Sequence, residues 1–184
     1  MIGFRRFLLQ STFLDTCKRF GLKKTLMFVS PLAPEYGLLG STTVKKGKVL
    51  TVVDPRGGPE SVIHECVHAF FREKELEMGI PCCELTDYEL EEITAFIVPM
   101  AILNKPLQIC KNWVKEKIEA EMRFEHIPET DRIGRLTISL SNDCVFPEDH
   151  DFVMLMWGTD PLEVYNKLAR KVGVEPIILS PQKK

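Results

Sequence analysis

An α+β fold is predicted by three observations along these 184 residues. Short apolar, β-branched segments separated by turn-like sequence lie near the start. Segments with helical apolar spacing stand on both sides of them, and the same mixture recurs after residue 108. At 45% hydrophobic, the chain can bury one good core or a core with an appendage, which fits a division into residues 1–108 and an α+β extension, 109–184, possible within a single domain.

In chain order, Ile2 to Phe20 is apolar at roughly helical spacing and stops at Gly21, a suitable C-cap. Lys24 to Ser30, Tyr36 to Val44 and Lys48 to Val53 read as three strands, divided by Pro31-Leu-Ala-Pro34 and by Lys45-Lys-Gly-Lys48. Gly58-Pro59-Glu60 opens a helix: Gly58 serves as N-cap, and Pro59 stands at the first position, where its missing N–H costs nothing. Val62, Ile63, Cys66, Val67, Ala69, Phe70 and Phe71 make that helix apolar around most of its circumference, so it is expected to be buried to about Lys74.

Thr86-Asp87-Tyr88-Glu89 has the form of a capping box that starts a second helix running toward Pro99. Beyond Pro106, a helix over Leu107 to Phe124, strands over Gly134 to Leu140 and Asp151 to Trp157, and a helix from Pro161 to Lys171 complete the reading.

The buried helix carries His64-Glu65-Cys66-Val67-His68, an H-E-x-x-H sequence. One turn separates the imidazoles, so both can grip a single Zn²⁺ with Glu65 beside the water it binds, the arrangement of a zinc-dependent hydrolase. Burying two histidines and a glutamate without partners costs ~2–7 kcal/mol for each polar group, and a metal resolves all three. The alternative, core or interface histidines with ordinary hydrogen bonds, is outweighed by the spacing and the intervening glutamate.

A catalytic zinc has three protein ligands and an open position, so a third is sought downstream. Glu89, Glu91 and Glu92 lie on the next helix. On a helical wheel Glu89 and Glu92 flank the stripe of Ile93, Phe96 and Met100, whereas Glu91 points toward Ala95 and Val98. Ala95 would let the two helices approach closely. The order of preference is Glu92, then Glu89, then Glu91, with Glu91 expected to be a solvated helix-face glutamate.

Val62 to Phe70 followed by Glu91-Glu92-Ile-Thr-Ala95-Phe96 resembles the minimal gluzincin core, H-E-x-x-H paired with E-x-x-A and an aromatic residue. The pairing is similar to that of small phage-encoded metallopeptidase-like proteins and, more distantly, of the ImmA/IrrE type. The resemblance covers about Thr25 to Pro106. It implies a zincin-like core, with Glu92 as third ligand and a peptide or protein substrate lying along an edge strand, either Tyr36 to Thr43 or Lys48 to Val53. Phe96 stands where the ImmA/IrrE pattern has Asn or Asp, which favours the phage-type comparison. A second reading keeps the core as a metal-stabilised, non-catalytic scaffold in a viral assembly or host-interaction protein. Intact Glu65 argues against it, since a structural zinc needs no general base.

Other features narrow the range. Tyr36 and Tyr88 are candidates to stabilise an oxyanion. His126 and His150 sit in charged, turn-like sequence and read as surface histidines. Six cysteines without a secretory signal point to reduced thiols and a cytoplasmic protein, in host cytoplasm if viral. Cys82-Cys83 lacks the C-x₂-C separation of structural zinc, and Cys66 projects away from the ligands and is expected to pack. A net charge of −2 with interspersed signs offers no nucleic-acid footprint, and no apolar run approaches the ~18 residues of a membrane span.

Overall fold

The computed structural model describes residues 2–32, 39–103 and 158–179. Tyr36, His126 and His150, and the helix and strands expected between residues 107 and 157, lie outside these residues. The described elements are helix α1 (Ile2–Phe20), strands β1 (Thr25–Val29), β2 (Gly40–Lys45) and β3 (Lys48–Val53), then helices α2 (Pro59–Met78), α3 (Tyr88–Ile102) and α4 (Pro161–Val172). This is the expected α+β, zincin-like order of helix, small sheet, H-E-x-x-H helix and glutamate helix, and of the two sheet types expected, mixed or antiparallel, the sheet is mixed.

The sheet order is β1-β3-β2. β3 runs parallel to β1, with Thr25 opposite Val49, and antiparallel to β2, with Gly40 opposite Val53. Lys46 and Gly47 both have positive φ, 51° and 71°, which gives the β2–β3 hairpin a turn matched to strand twist. Because β3 is hydrogen-bonded on both sides, Lys48–Val53 is not the open edge; among the described residues that place falls to β2 on one side and β1 on the other.

Alternation along β3 buries Val49, Thr51 and Val53 completely on the face toward the helices. Leu9 and Phe13 of α1, Val53, and Val62 and Cys66 of α2 close that side of the core. Ile63, Val67 and Phe71 on the other side of α2 pack with Leu90, Ile93 and Val98 of α3 and with Val164, Tyr165 and Leu168 of α4. Helix α2 is therefore enclosed on two sides, as its apolar circumference predicts.

Helix boundaries follow local chemistry with three differences. Helix α2 continues past Lys74 to Met78, where Gly79 at φ 69° caps it by donating to the Glu75 carbonyl. Asp87, not Thr86, caps α3, its carboxylate accepting from Leu90 N at 3.3 Å. Pro99 lies inside α3, whose final turn is closed by Leu103 N donating to Pro99 O at 2.9 Å. Helix α4 starts as expected, with Asp160 as N-cap and Pro161 in the first turn.

Two buried carboxylates tie the framework together. Glu73 of α2 accepts from Lys23 N, Lys24 N and the Thr25 hydroxyl at 2.6–3.0 Å and so fixes the entry to β1. Asp54, just after β3, accepts from Leu32 N at 2.7 Å and from the Arg56 backbone and guanidinium at 2.7–2.9 Å, which shapes the approach to α2. The Arg56 side chain, followed by the Leu32 amide, holds the Asp54 carboxyl far below the usual carboxylate range.

A carboxyl depressed in the folded state stabilises the fold above its ordinary pKa, and that contribution disappears as pH falls through the folded value. Asp54→Asn should therefore unfold at lower temperature than the parent at pH 7, and the gap should shrink steadily below about pH 4. Thermal unfolding of both proteins between pH 7 and pH 3 measures it; a gap that stays constant would remove the ionised carboxylate as its cause.

Candidate metal centre

His64 and His68 lie one turn apart on α2, and α3 crosses them closely because Ala95, fully buried, leaves room at the contact. Their Nε2 atoms are 3.1 Å apart. Glu92 of α3 brings Oε2 to 3.7 Å from His64 Nε2 and Oε1 to 3.4 Å from His68 Nε2. Among the described residues this is the one group of three or more His, Cys, Asp or Glu side chains close enough to share an ion. All three side chains are 12–16% exposed, so the cluster reaches solvent without lying open.

The donor set fits zinc. A tetrahedral ion with bonds of about 2.0–2.1 Å to nitrogen and oxygen needs donors about 3.3 Å apart. The two Nε2 atoms are 3.1 Å apart, and each has one of the two Glu92 oxygens at 3.4 or 3.7 Å, spacings close to that value, with one ligand atom from each residue within 4.8 Å of the others. Two nitrogens and one carboxylate oxygen are also the donor types of catalytic zinc sites. The fold and this His-His-Glu group together have the zincin-type arrangement. Compared with family models, curated proteins and solved structures, the chain shows no significant match to any of them.

Electrostatics point the same way. Burial opposes charging of His68, but Glu91, accepting from Nδ1, together with Glu92 and Glu65, outweighs it and holds the imidazole above the ordinary histidine range. The surroundings thus favour positive charge at this point.

Glu65 sits on the sheet side of the pair, only 6% exposed. The Thr42 hydroxyl of β2 donates to its Oε2 at 2.7 Å and is itself 3.1 Å from the Thr51 hydroxyl of β3. Since Thr42 has a single proton, donating it to the carboxylate leaves Thr51 as the donor to Thr42. Gly40 passes so close that a Cβ there would fall 2.3 Å from Glu65 Oε1. Edge strand β2 and Glu65 are therefore fitted to each other.

The three candidate glutamates separate. Glu92 joins the histidines, and the Tyr88 hydroxyl donates to its Oε1 at 3.1 Å. Glu89 is absent from the cluster. Glu91 corrects the expectation of a solvated residue: it is 2% exposed, bonded to His68 Nδ1 at 2.7 Å, and holds Arg72 and Thr86 with its other oxygen. The wheel correctly placed it with Ala95 and Val98, but that face is the one pressed on α2. Thr86 is drawn to Glu91 and leaves the cap to Asp87.

Phe96 packs edge-on against His64, with centroids 4.8 Å apart, so its position supplies an apolar wall and the polar partner of the site comes from Glu91. Cys66 is fully buried in the packing against α1 and the sheet, as expected. Cys82 and Cys83 are exposed, with sulfurs 3.5 Å apart. Arg72 was missed by the sequence reading, although its position four residues after His68 puts it on the histidine face.

Gly40→Ala should overpack the β2–Glu65 contact and cost about 1–3 kcal/mol in chemical denaturation. Ser41→Ala, on the outer face of the same strand, should stay within about 0.5 kcal/mol of the parent. Equal effects from the two would mean that β2 does not press on Glu65.

Proposed function

We propose that this protein is a zinc-dependent hydrolase, most consistent with a metallopeptidase, in which His64, His68 and Glu92 hold the ion and Glu65 is the general base. The single observation that carries this reading is the set of donor distances, 3.1, 3.4 and 3.7 Å, among three side chains of the right chemical types. Zinc bound there would supply a Lewis acid for a substrate carbonyl and lower the pKa of water toward ~7.

The chain's own groups would do the rest. Glu65, held at Oε2 by Thr42, would take a proton from the attacking water and deliver it to the leaving amine. Edge strand β2, in contact with Glu65, offers main-chain groups to an extended peptide, which supports a peptide or protein substrate. Tyr88, bonded to Glu92 and 63% exposed at the rim, is the candidate donor to a developing oxyanion. The resemblance to phage-type proteins rests on the motif pair alone. Free thiols at Cys17, Cys66, Cys82 and Cys83 go with a reducing, cytoplasmic setting, and no described helix is long and apolar enough to cross a membrane.

The purified protein should contain about one zinc per chain by mass spectrometry, and His64→Ala should lose it. Glu65→Gln should keep the zinc and abolish cleavage in a peptide-library screen. A Glu65→Gln variant as active as the parent would remove the proposed mechanism. Zinc bound without cleavage under any condition would favour the non-catalytic scaffold, and a parent without metal affinity would sink both.

Tyr88→Phe should leave zinc content unchanged and lower kcat by about 10–1,000-fold if the phenol serves the oxyanion. An unaltered kcat would reduce Tyr88 to a partner of Glu92.

A further inference from the structure

His64, His68 and Arg72 recur every four residues along one face of α2. Glu91 of α3 spans the last two. One of its oxygens meets His68 Nδ1 at 2.7 Å, and the other accepts from the Arg72 guanidinium and the Thr86 hydroxyl. Arg72 is held in turn: Nη1 lies 3.1 Å from Glu75 Oε2, an ion pair without hydrogen-bond alignment, and donates to Cys82 Sγ at 3.8 Å. Arg72, Glu75 and Glu91 are all at least 95% buried.

We infer that Glu91, clamped by Arg72 and Thr86, is the positioning residue of the metal centre, fixing His68 as the Nδ1–H tautomer with its Nε2 lone pair turned toward His64 and Glu92. The inference rests on the zinc reading above and extends it from ligands to the groups that aim them.

For a neutral, metal-binding His68 the chemistry allows one proton arrangement. An ionised carboxylate only accepts, so His68 Nδ1 must donate, and a neutral ring then has its lone pair on Nε2. That nitrogen is the one facing His64 and Glu92. A carboxylate on the far ring nitrogen also makes the imidazole a stronger donor to a metal.

Arg72 supplies the fixed cationic partner of this carboxylate: its guanidinium, which does not deprotonate in proteins, and the Thr86 hydroxyl both donate to Glu91 Oε2. Commitment of both Glu91 oxygens also explains why, of two adjacent glutamates, Glu92 is the one left to face the histidine nitrogens.

Zinc affinity of the intact chain, measured by competition with a chromophoric chelator, tests the inference. Glu91→Gln should weaken binding about 10–100-fold. Arg72→Lys, which keeps the charge but loses the planar fork, should fall between that variant and the parent. Glu91→Leu combined with Arg72→Met removes the Arg72–Glu91 pair, while Glu75 keeps its hydrogen bond from Leu85 N at 3.1 Å. The double variant should bind zinc as weakly as Glu91→Gln while unfolding cooperatively without metal.

Long-range ¹⁵N–¹H NMR of the unaltered, zinc-loaded protein reads the tautomer without any substitution and should show a proton on His68 Nδ1. A double variant within twofold of the parent, or zinc on Nδ1 of His68, would overturn the positioning role while leaving the zinc reading intact. A parent that binds no zinc would instead remove the zinc reading and this inference with it.

Discussion

Helix α2 has apolar partners on two sides, the sheet and α1 on one and α3 and α4 on the other, yet it carries His64, Glu65, His68, Arg72, Glu73 and Glu75 between its buried apolar residues. Polar groups in such a position must each be matched or they destabilise the fold by several kcal/mol. The structure matches most of them with protein groups drawn from separate elements. Glu73 takes the amides that open β1, Glu75 takes Leu85 N at 3.1 Å, and Glu65 takes the Thr42 hydroxyl. Each partner lies where the chain must turn or pair, so the polar groups of α2 also fix how the surrounding elements join it.

Among the described residues, Glu65, Glu75, Glu91 and Glu92 gather around α2 with the Arg72 guanidinium, and against the effect of burial Glu91, Glu92 and Glu65 raise the pKa of His68. Mutual repulsion of buried carboxylates is relieved by protons or by a cation. A divalent ion between His64, His68 and Glu92 would offset two of those charges at the point where the donor atoms already converge.

The elements that position the site were legible because their signals are local. Pro59 and Pro161 mark helix starts, Gly21 marks the end of α1, and apolar alternation marks β3, whatever lies across from them. The H-E-x-x-H spacing is equally local. Strand order was not legible: three strands in sequence do not reveal that β1 pairs with β3 in parallel and leaves β2 at an edge. Glu91 was misread for the same reason. A wheel gives the direction of a side chain, but whether that direction meets water or a buried arginine depends on the packing of α3 on α2. Thr86 and Asp87 are equally good caps in isolation, and a tertiary hydrogen bond to Glu91 decided between them.

Glu65 bears on whether this arrangement is a scaffold or a working site. Its carboxylate is enclosed against Gly40 and Thr42 and raises the negative charge felt at His68. A glutamine there could accept the same Thr42 hydrogen bond through its carbonyl and would add no charge, so the Thr42 contact by itself does not call for an acid. The negative charge is useful only to a group that must be attracted or deprotonated. With the ligand role given to His64, His68 and Glu92 under the proposed function, proton transfer is the role that proposal gives to Glu65. On that proposal the fit of β2 around this carboxylate would have a functional sense: the strand offered to an extended substrate would also hold the proposed base, through the Thr42 hydroxyl.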